Sequence, residues 1–316
     1  MTAPGADLPA LLASGEHAAF HGKPQAAVGV LEQAVVLAQS QGREAEMAAA
    51  AWLLGVALGA AGRYGAALTV LSPLVEAGRA PAASAEGRLF GALAGSTVAS
   101  VHRQLGRHTF ARDADLAALA LAEGSAEAEF DAQLGLAAAA IGTGDLDEAT
   151  ERAALAEALV PARADDWWRQ RVRLGWVHAD LALQNGQPDE AAGHARAAVD
   201  RAEQARAPRH VAKGLLYLGL AQVSGGDDGS AEGEEDRDAA QTLRRAATLA
   251  ESLGTVPLVW PARALLGALL EDLDPAESAR SLAAARSAVL AIAGDLPPGV
   301  RAEWLARSDV AALLGG

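Results

Sequence analysis

The sequence lacks cysteine altogether, and it also lacks any long run of apolar residues. Without cysteine the chain can form no disulfide, no thiol nucleophile and no cysteine-ligated metal site. The longest uncharged stretch, residues 47–62, is mostly alanine and glycine and is shorter than the ~20 residues that a membrane-spanning helix needs. The first residues contain neither the basic segment nor the apolar segment of a signal peptide. We therefore expect a cytoplasmic protein that does not enter a membrane.

Basic and aromatic residues are scarce as well. The chain carries 26 basic and 40 acidic side chains, which gives a formal net charge of −14. An acidic surface repels a phosphate backbone, so direct binding to nucleic acid is not expected. Aromatic residues make up only 4% of the sequence, whereas alanine, the best helix former, is abundant. At 316 residues, the chain has the length of two or three ordinary domains or of one elongated array of repeats.

One short pattern recurs along the chain: a glycine is followed five residues later by an alanine. Five pairs share this spacing: Gly22/Ala27, Gly62/Ala67, Gly106/Ala111, Gly144/Ala149 and Gly186/Ala191. A small residue precedes each of these glycines by seven positions: Gly15, Gly55, Ala99, Ala137 and Ala179. A sixth unit with Gly219 and Gly226, and a seventh with Gly267 and Asp274, follow the pattern less closely.

The spacing predicts a helical hairpin in each unit. The small residue within the first helix lets the second helix approach closely, and the later glycine is expected to end the first helix in a left-handed conformation. A single hairpin cannot bury its apolar face alone, but stacked hairpins bury a continuous core. We therefore predict an all-α fold of about seven stacked hairpins, with Ala149 and Ala191 buried where two helices touch.

The pattern resembles the tetratricopeptide repeat (TPR), and the segments GDLDEA (144–149) and GQPDEA (186–191) match it best. The resemblance covers nearly the whole chain, although the turn glycines are 38 to 44 residues apart rather than ~34. It implies one domain over 1–316, a right-handed superhelical array or α-solenoid. The hairpins are expected at 8–41, 44–77, 83–123, 125–160, 165–206, 208–253 and 257–293.

Two further segments depart from the repeat. The segment LPPGVRAEWLARSDVAALL (296–314) resembles the helix that closes the helical-repeat arms of bacterial signal-transduction ATPases and transcription regulators. We expect a capping helix over 298–314, with Trp304 and Leu305 covering the seventh hairpin. The acidic segment 227–238 interrupts the sixth hairpin, and we interpret it as a solvated loop because it lacks the ligand spacing of a calcium site.

Motifs for catalysis or metal binding are weak. The Gly-Lys pair at 22–23 lacks the spacing of a phosphate-binding loop, and Pro24 stands where such a loop has Ser or Thr. His17 and His21 share a helix face but have no third ligand nearby in the sequence, so we interpret them as surface or packing residues. No Gly-x-Ser-x-Gly nucleophile motif occurs. The sequence predicts no enzyme activity, no metal and no cofactor.

The TPR resemblance implies a binding surface instead. In TPR arrays the first helix of each hairpin lines a concave groove, and its inward positions correspond here to Trp52, Ser100, Arg103, Arg173, Trp176, Asp180 and Lys213, with Val56, Leu183 and Leu216. Arginine, tryptophan and aspartate together suit an extended peptide or a carboxylate-bearing ligand. The alternative is that Trp52 and Trp176 are packing residues between hairpins, because tryptophan is mostly buried on average.

Three functions remain open from the sequence. The leading hypothesis is a non-enzymatic scaffold or adaptor that binds a protein or peptide segment in its groove. The second is a ligand- or peptide-sensing regulatory arm of a bacterial signalling or transcription system. The third is an enzyme whose site is assembled from residues distant in sequence. A homo-oligomer is compatible with all three.

Overall fold

The computed structural model describes residues 7–161, 167–225 and 234–315, and their regular secondary structure is helical throughout. The helices are α1 (Leu8–His21), α2 (Pro24–Ser40), α3 (Glu44–Ala60), α4 (Tyr64–Arg79), α5 (Ala85–Gln104), α6 (His108–Leu121), α7 (Ala126–Thr143), α8 (Leu146–Ala158), α9 (Trp168–Gln184), α10 (Pro188–Gln204), α11 (Pro208–Gly225), α12 (Glu234–Leu253), α13 (Val256–Leu269), α14 (Pro275–Asp295), α15 (Pro298–Ala306) and α16 (Ser308–Gly315). None of these helices is both long and apolar enough to span a membrane.

Consecutive helices pack against each other, so that α1 to α14 form seven helical hairpins in an all-α solenoid. Each odd-numbered helix from α1 to α11 also contacts the next odd-numbered helix, so that this series ends at α13. The first helices of the hairpins therefore form one layer, and the second helices flank it. This arrangement confirms the predicted fold class.

The turn glycines show how most hairpins change direction. Gly62, Gly106, Gly144 and Gly186 have φ angles between 70° and 81°, which is the left-handed conformation that the sequence predicts. Gly22 differs from the prediction, since its φ angle is −115°. Extended backbone follows at position 23, and a proline then begins α2 at once, so the chain turns there without a left-handed residue.

Small residues allow the two helices of a hairpin to touch. A Cβ atom added at Gly15 would lie only 2.4 Å from Cδ2 of Leu31, which is fully buried. Ala149 and Ala191 are also fully buried, as predicted. Because protein interiors are packed almost without voids, these positions have no room for a larger side chain.

The C-terminal cap consists of two short helices, α15 and α16, rather than the single predicted helix. The helix breaks at Arg307, whose backbone is extended. Trp304 is buried, its Nε1 donates to the carbonyl oxygen of Val289 on α14 at 3.3 Å, and its ring meets Trp260 of α13 edge-on. Leu305 packs against the same core. Both side chains therefore cover the seventh hairpin, as predicted.

The two ends of the array touch each other. α4 contacts α14, where the backbone N–H of Ala66 donates to Oδ2 of Asp295 at 3.1 Å. Glu303 in the cap pairs with Arg107, just before α6, at 3.1 Å. α1 also contacts α11. The solenoid therefore curves back on itself, and the first helices of the hairpins face a common interior.

The acidic insertion is shorter than predicted. α12 begins at Glu234, so residues 234–238 are helical rather than part of a loop. The rest of the predicted loop, 227–233, lies outside the described residues.

Candidate functional site

The curved solenoid surrounds a cavity of about 750 Å³. The first helix of every hairpin contributes to its wall, from Phe20 on α1 to Trp260 on α13, and Arg307 of the cap lines it too. This composition follows from the fold, because the odd-numbered helices form the inner layer. Side chains from all seven hairpins therefore meet in one place.

Six of the seven predicted binding residues line this cavity: Trp52, Ser100, Arg103, Arg173, Trp176 and Lys213. Asp180, one helical turn beyond Trp176, does not line it; the hydroxyl of Tyr217 donates to Oδ2 of Asp180 at 3.5 Å. Of the other inward positions, Val56 and Leu216 line the cavity and Leu183 does not. The structure thus brings most of the predicted residues together, and what they bind stays a prediction.

Two of the predicted cations already have acidic partners. Arg103 on α5 bonds to Asp115 of α6, and its guanidinium also donates to the carbonyl oxygen of Gly135 at 3.2 Å. Arg173 on α9 bonds to Asp131 of α7. Each ion pair ties an inner helix to a neighbouring helix. In this structure, Asp131 is therefore the acidic partner of Arg173.

Asp115 lies fully buried behind the cavity wall. Burial raises the pKa of its carboxyl to about 7, although the Arg103 guanidinium acts in the opposite direction. A Cβ atom added at Gly135 would fall 2.4 Å from Oδ2 of Asp115, so the carboxylate fits only because residue 135 has no side chain. The Arg103–Asp115 pair therefore fixes the packing of α5, α6 and α7.

The two predicted tryptophans combine packing with a place in the wall. Trp176 is only 8% exposed, and its ring stacks on His210 with centroids 5.5 Å apart. The ammonium nitrogen of Lys213 lies 4.5 Å from the centre of the Trp176 ring. Trp52 is half-buried, and its Nε1 donates to Oγ1 of Thr97 at 3.2 Å. Both side chains thus hold the inner layer together as well as bordering the cavity.

Sequence reasoning missed several polar residues of the wall, among them Arg169, Arg209 and His210 on α9 and α11. Arg169 precedes Arg173 by four residues, and Arg209 precedes Lys213 by four. Side chains four residues apart lie on the same face of a helix. Continuing the series of predicted inward positions by one turn towards the N-termini of α9 and α11 would therefore have found both arginines.

Positive charge dominates the part of the wall formed by α9 and α11. Burial and the neighbouring guanidinium groups, above all that of Arg173, lower the pKa of Lys213 to about 8. Burial and then the charge of Arg169 lower the pKa of Arg209 to about 10. Burial also lowers the pKa of His210 well below its usual value, so this imidazole is neutral at pH 7.

The wall formed by α3 and α13 is largely apolar. α3 contributes Trp52 and Val56, and α13 contributes Leu258 and Trp260. Most of these side chains pack against the hydrophobic core that joins the first three hairpins to α14 and the cap. The cavity thus has a cationic side and an apolar side. Sites of this kind use a few polar groups to orient a mostly apolar ligand.

The histidine pair of the first hairpin lies in a helix contact. The rings of His17 and His21 stack with centroids 5.1 Å apart, and His21 is tilted against Trp168 of α9. Nδ1 of His21 lies 3.4 Å from the carbonyl oxygen of Arg206, just before α11. In the part of the chain that the structure describes, no three metal-binding side chains cluster together.

The helix arrangement is similar to that of a Rap protein whose crystal structure was determined in complex with competence and sporulation factor. The two structures agree with a TM-score of 0.65 at 12% sequence identity, over 97% of this chain and 77% of the Rap chain. Rap proteins are TPR-type helical-repeat proteins. The fold is a TPR-like helical repeat.

A second solved structure, the apo form of RapI, aligns with 98% of this chain over 84% of the RapI chain. Its TM-score is 0.47 and the sequence identity is 12%. No protein-family model and no curated protein matches the sequence. In this TPR-like repeat, the cavity is the concave side that the inner helices line.

Proposed function

We propose that this protein is a non-enzymatic binding protein that holds a short peptide, free or as a segment of a partner protein, in its interior cavity. The observation that carries the proposal is the shared wall, to which the first helices of all seven hairpins and the cap contribute. Helical-repeat proteins use their concave surfaces for binding, because the curvature of the array gathers side chains from many repeats.

The volume and composition of the cavity support a short peptide. Its volume of about 750 Å³ lies within the range of ~300–1,000 Å³ that is usual for sites of drug-sized ligands. Trp52 and Trp260 offer aromatic surface for side chains, and Ser100 offers a hydroxyl for the peptide backbone. The similar Rap protein was crystallised with a bound factor, which also supports a binding role.

A sensing role, as a regulatory arm of a bacterial signalling or transcription system, is the second candidate. The observation that favours it is the position of Arg307, which lines the cavity and donates to the carbonyl oxygen of Gln104 on α5 at 2.8 Å. A ligand that touches Arg307 would act on the joint that closes the solenoid. A sensor changes such a joint on binding, whereas an adaptor only holds its partner.

Selection from a library of short random peptides tests the binding proposal. We expect specific sequences to be enriched on the immobilised full chain. The variant Ser100→Trp places a large side chain in the cavity and should abolish binding of these peptides. Ser72→Trp, on the exposed face of α4, is the matched control and should bind them like the wild type. Circular dichroism should show the same helix content in both variants.

Two results would contradict the proposal. Peptides that bind Ser100→Trp as tightly as the wild type would place binding outside the cavity, and a selection that enriches no sequence would exclude a peptide ligand. Hydrogen exchange then separates the two roles. Altered protection of α5 and the cap in the presence of a selected peptide favours the sensor, and unchanged protection favours the adaptor.

A further inference from the structure

Three cations of the cavity wall form no ion pair with any carboxylate in the described ranges. They are Arg169 on α9 and, on α11, Arg209 and Lys213. The other basic side chains of the wall all have an acidic partner: Arg103 with Asp115, Arg173 with Asp131, and Arg307 with Asp309. The three cations therefore differ from the rest of the wall in what they offer to a ligand.

Aromatic rings, rather than carboxylates, lie beside two of these cations. The guanidinium carbon of Arg169 is 4.6 Å from the centre of the Phe20 ring, and Nζ of Lys213 is 4.5 Å from the centre of the Trp176 ring. Nε of Arg209 is buried and has no hydrogen-bond partner among the described residues. Proteins satisfy nearly all buried donors, because an unsatisfied one costs free energy. Asp131 and Asp180 act on Arg169 and Lys213 only from beyond ion-pair distance, so the group offers donors and positive charge without a directly bonded acceptor.

The three side chains are close enough to act on one another. After burial, the charge of Arg169 is the largest cause that lowers the pKa of Arg209, and Arg209 in turn lowers the pKa of Lys213. Like charges that share a desolvated region repel each other, and an anion placed among them would relieve the repulsion of all three.

We propose that Arg169, Arg209 and Lys213 form an anion subsite, which holds a carboxylate or phosphate group of the bound ligand. The proposal rests on the function proposed above, since it assigns a role to the same cavity. A guanidinium group can donate two parallel hydrogen bonds to the oxygens of one carboxylate or phosphate, and a lysine adds a compact point charge. The apolar part of the ligand then faces Trp52 and Trp260.

Binding of two simple anions to the full chain tests the subsite. Inorganic phosphate and succinate carry the two candidate groups, and titration calorimetry in a chloride buffer measures their affinities. We expect saturable binding of at least one of them, with a Kd on the order of 1 mM. The anion that binds more tightly shows whether the subsite prefers a phosphate or a carboxylate group. Arg209→Gln should weaken this binding at least ~10-fold, because it removes a charged donor.

The matched control is Arg196→Gln, which removes an exposed arginine of α10 and should leave the affinity unchanged. Arg169→Gln, on the neighbouring inner helix, should weaken binding as Arg209→Gln does. The melting temperature of each ligand-free variant gives a second measurement. Removal of an unpaired, partly buried charge should raise the melting temperature or leave it unchanged, whereas removal of one member of a buried ion pair lowers it.

Three results overturn the subsite: no saturable binding of either anion, equal anion affinity in Arg209→Gln and the wild type, or a marked fall in the melting temperature of Arg209→Gln. The selected peptides separate this proposal from the binding function. If peptides bind in the cavity of Arg209→Gln as tightly as in the wild type, the binding function stands and the subsite fails. If an anion binds through Arg209 but no peptide is enriched, the subsite stands and the peptide proposal fails.

Discussion

The arginines of the cavity wall are of two kinds. Arg103 and Arg173 are each bonded to a buried or nearly buried aspartate, whereas Arg169 and Arg209 have no such partner among the described residues. The first kind connects helices, and the second directs charge into the interior. Substitutions of the two kinds should therefore have opposite effects on stability, although all four arginines lie on inner helices.

Asp115→Ala should destabilise the fold by about 3–5 kcal/mol, because it leaves the charge of Arg103 buried without its partner. The double variant Arg103→Met/Asp115→Ala should recover part of that loss, since neither charge then remains. Urea unfolding of both variants and of Arg103→Met alone measures the coupling energy of the pair. Glu203→Ala, which breaks an exposed pair with Arg245, is the control and should cost less than about 1 kcal/mol. Equal losses of stability in Asp115→Ala and Glu203→Ala would show that the buried ion pair matters no more than an exposed one.

Lys213 should make stability depend on pH. Its pKa in the folded protein is about 8 instead of the ordinary 10.5, because burial and the neighbouring guanidinium groups disfavour the charged amine. Between these two values the unfolded chain binds more protons than the folded chain, so the free energy of unfolding rises with pH. In Lys213→Met the contribution of this residue to the rise, on the order of 1–3 kcal/mol, should be missing.

Urea unfolding on either side of this pH window measures the effect. Lys23→Met is the matched control, because Lys23 is exposed and is the other lysine of the sequence. It should keep the pH dependence of the wild type. Identical pH profiles for Lys213→Met and the wild type would show that the amine of Lys213 titrates normally in the folded protein.

The helical hairpin is the element that depends most on small side chains. Ala149→Leu should cost about 1–3 kcal/mol, because Ala149 is fully buried in the contact between helices and the added atoms overpack it. Ala154→Leu makes the same change at an exposed position of the same helix, α8, and should be nearly neutral. Thermal melting of the two variants measures the difference. A melting temperature for Ala149→Leu equal to that of Ala154→Leu would mean that position 149 is not a tight helix contact.

The hairpins could be predicted from the sequence because their determinants are local. A turn glycine such as Gly144 and a small residue such as Ala149 lie within one unit and report on the contact of two adjacent helices. Gly22 adopts a different backbone conformation because Pro24, two residues later, already begins the next helix. The break at Arg307 was also missed, since its contact with Gln104 joins residues 203 positions apart.

The cavity wall could be predicted only in part, because some of its determinants are contacts between residues far apart in the sequence. Transfer of the TPR inward positions found Arg173 and Lys213, which lie in the second turn of α9 and α11. It stopped one turn short of Arg169 and Arg209. Nothing local in the sequence indicates that α4 meets α14, because Ala66 and Asp295 are 229 residues apart. The curvature that closes the cavity depends on such contacts.

For the molecule as a whole, charge is distributed unevenly between the exterior and the cavity. The net charge is −14, yet the described residues that line the cavity include six basic and only two acidic side chains. At physiological ionic strength the Debye length is about 8 Å, so the acidic exterior acts on an anion only at close range. A small anionic ligand can therefore reach the interior, while a long polyanion meets repulsion along its whole length.

Closure of the solenoid should be sensitive to Gly65. A Cβ atom added there would lie 2.2 Å from the carbonyl oxygen of Asp295, so Gly65→Ala forces α4 and α14 apart. We expect a loss of about 1–3 kcal/mol and a larger radius of gyration by small-angle X-ray scattering. Gly29→Ala is the control: a Cβ atom at Gly29 has no heavy atom within 4 Å, and alanine should stabilise the α2 helix by ~0.5–1 kcal/mol. Equal radii for the two variants would contradict this role of the contact.

The cavity wall draws on residues from opposite ends of the chain, since Phe20 and Arg307 both line it. A ribosome adds roughly 5–20 residues per second, so the first hairpin emerges tens of seconds before the cap. The early hairpins can pack against one another during that time, but the wall is complete only after Arg307, Ser308 and Asp309 have been synthesised. A polypeptide released before that point carries stacked repeats with an unfinished wall, and it is therefore a poor competitor of the full-length protein for the ligand.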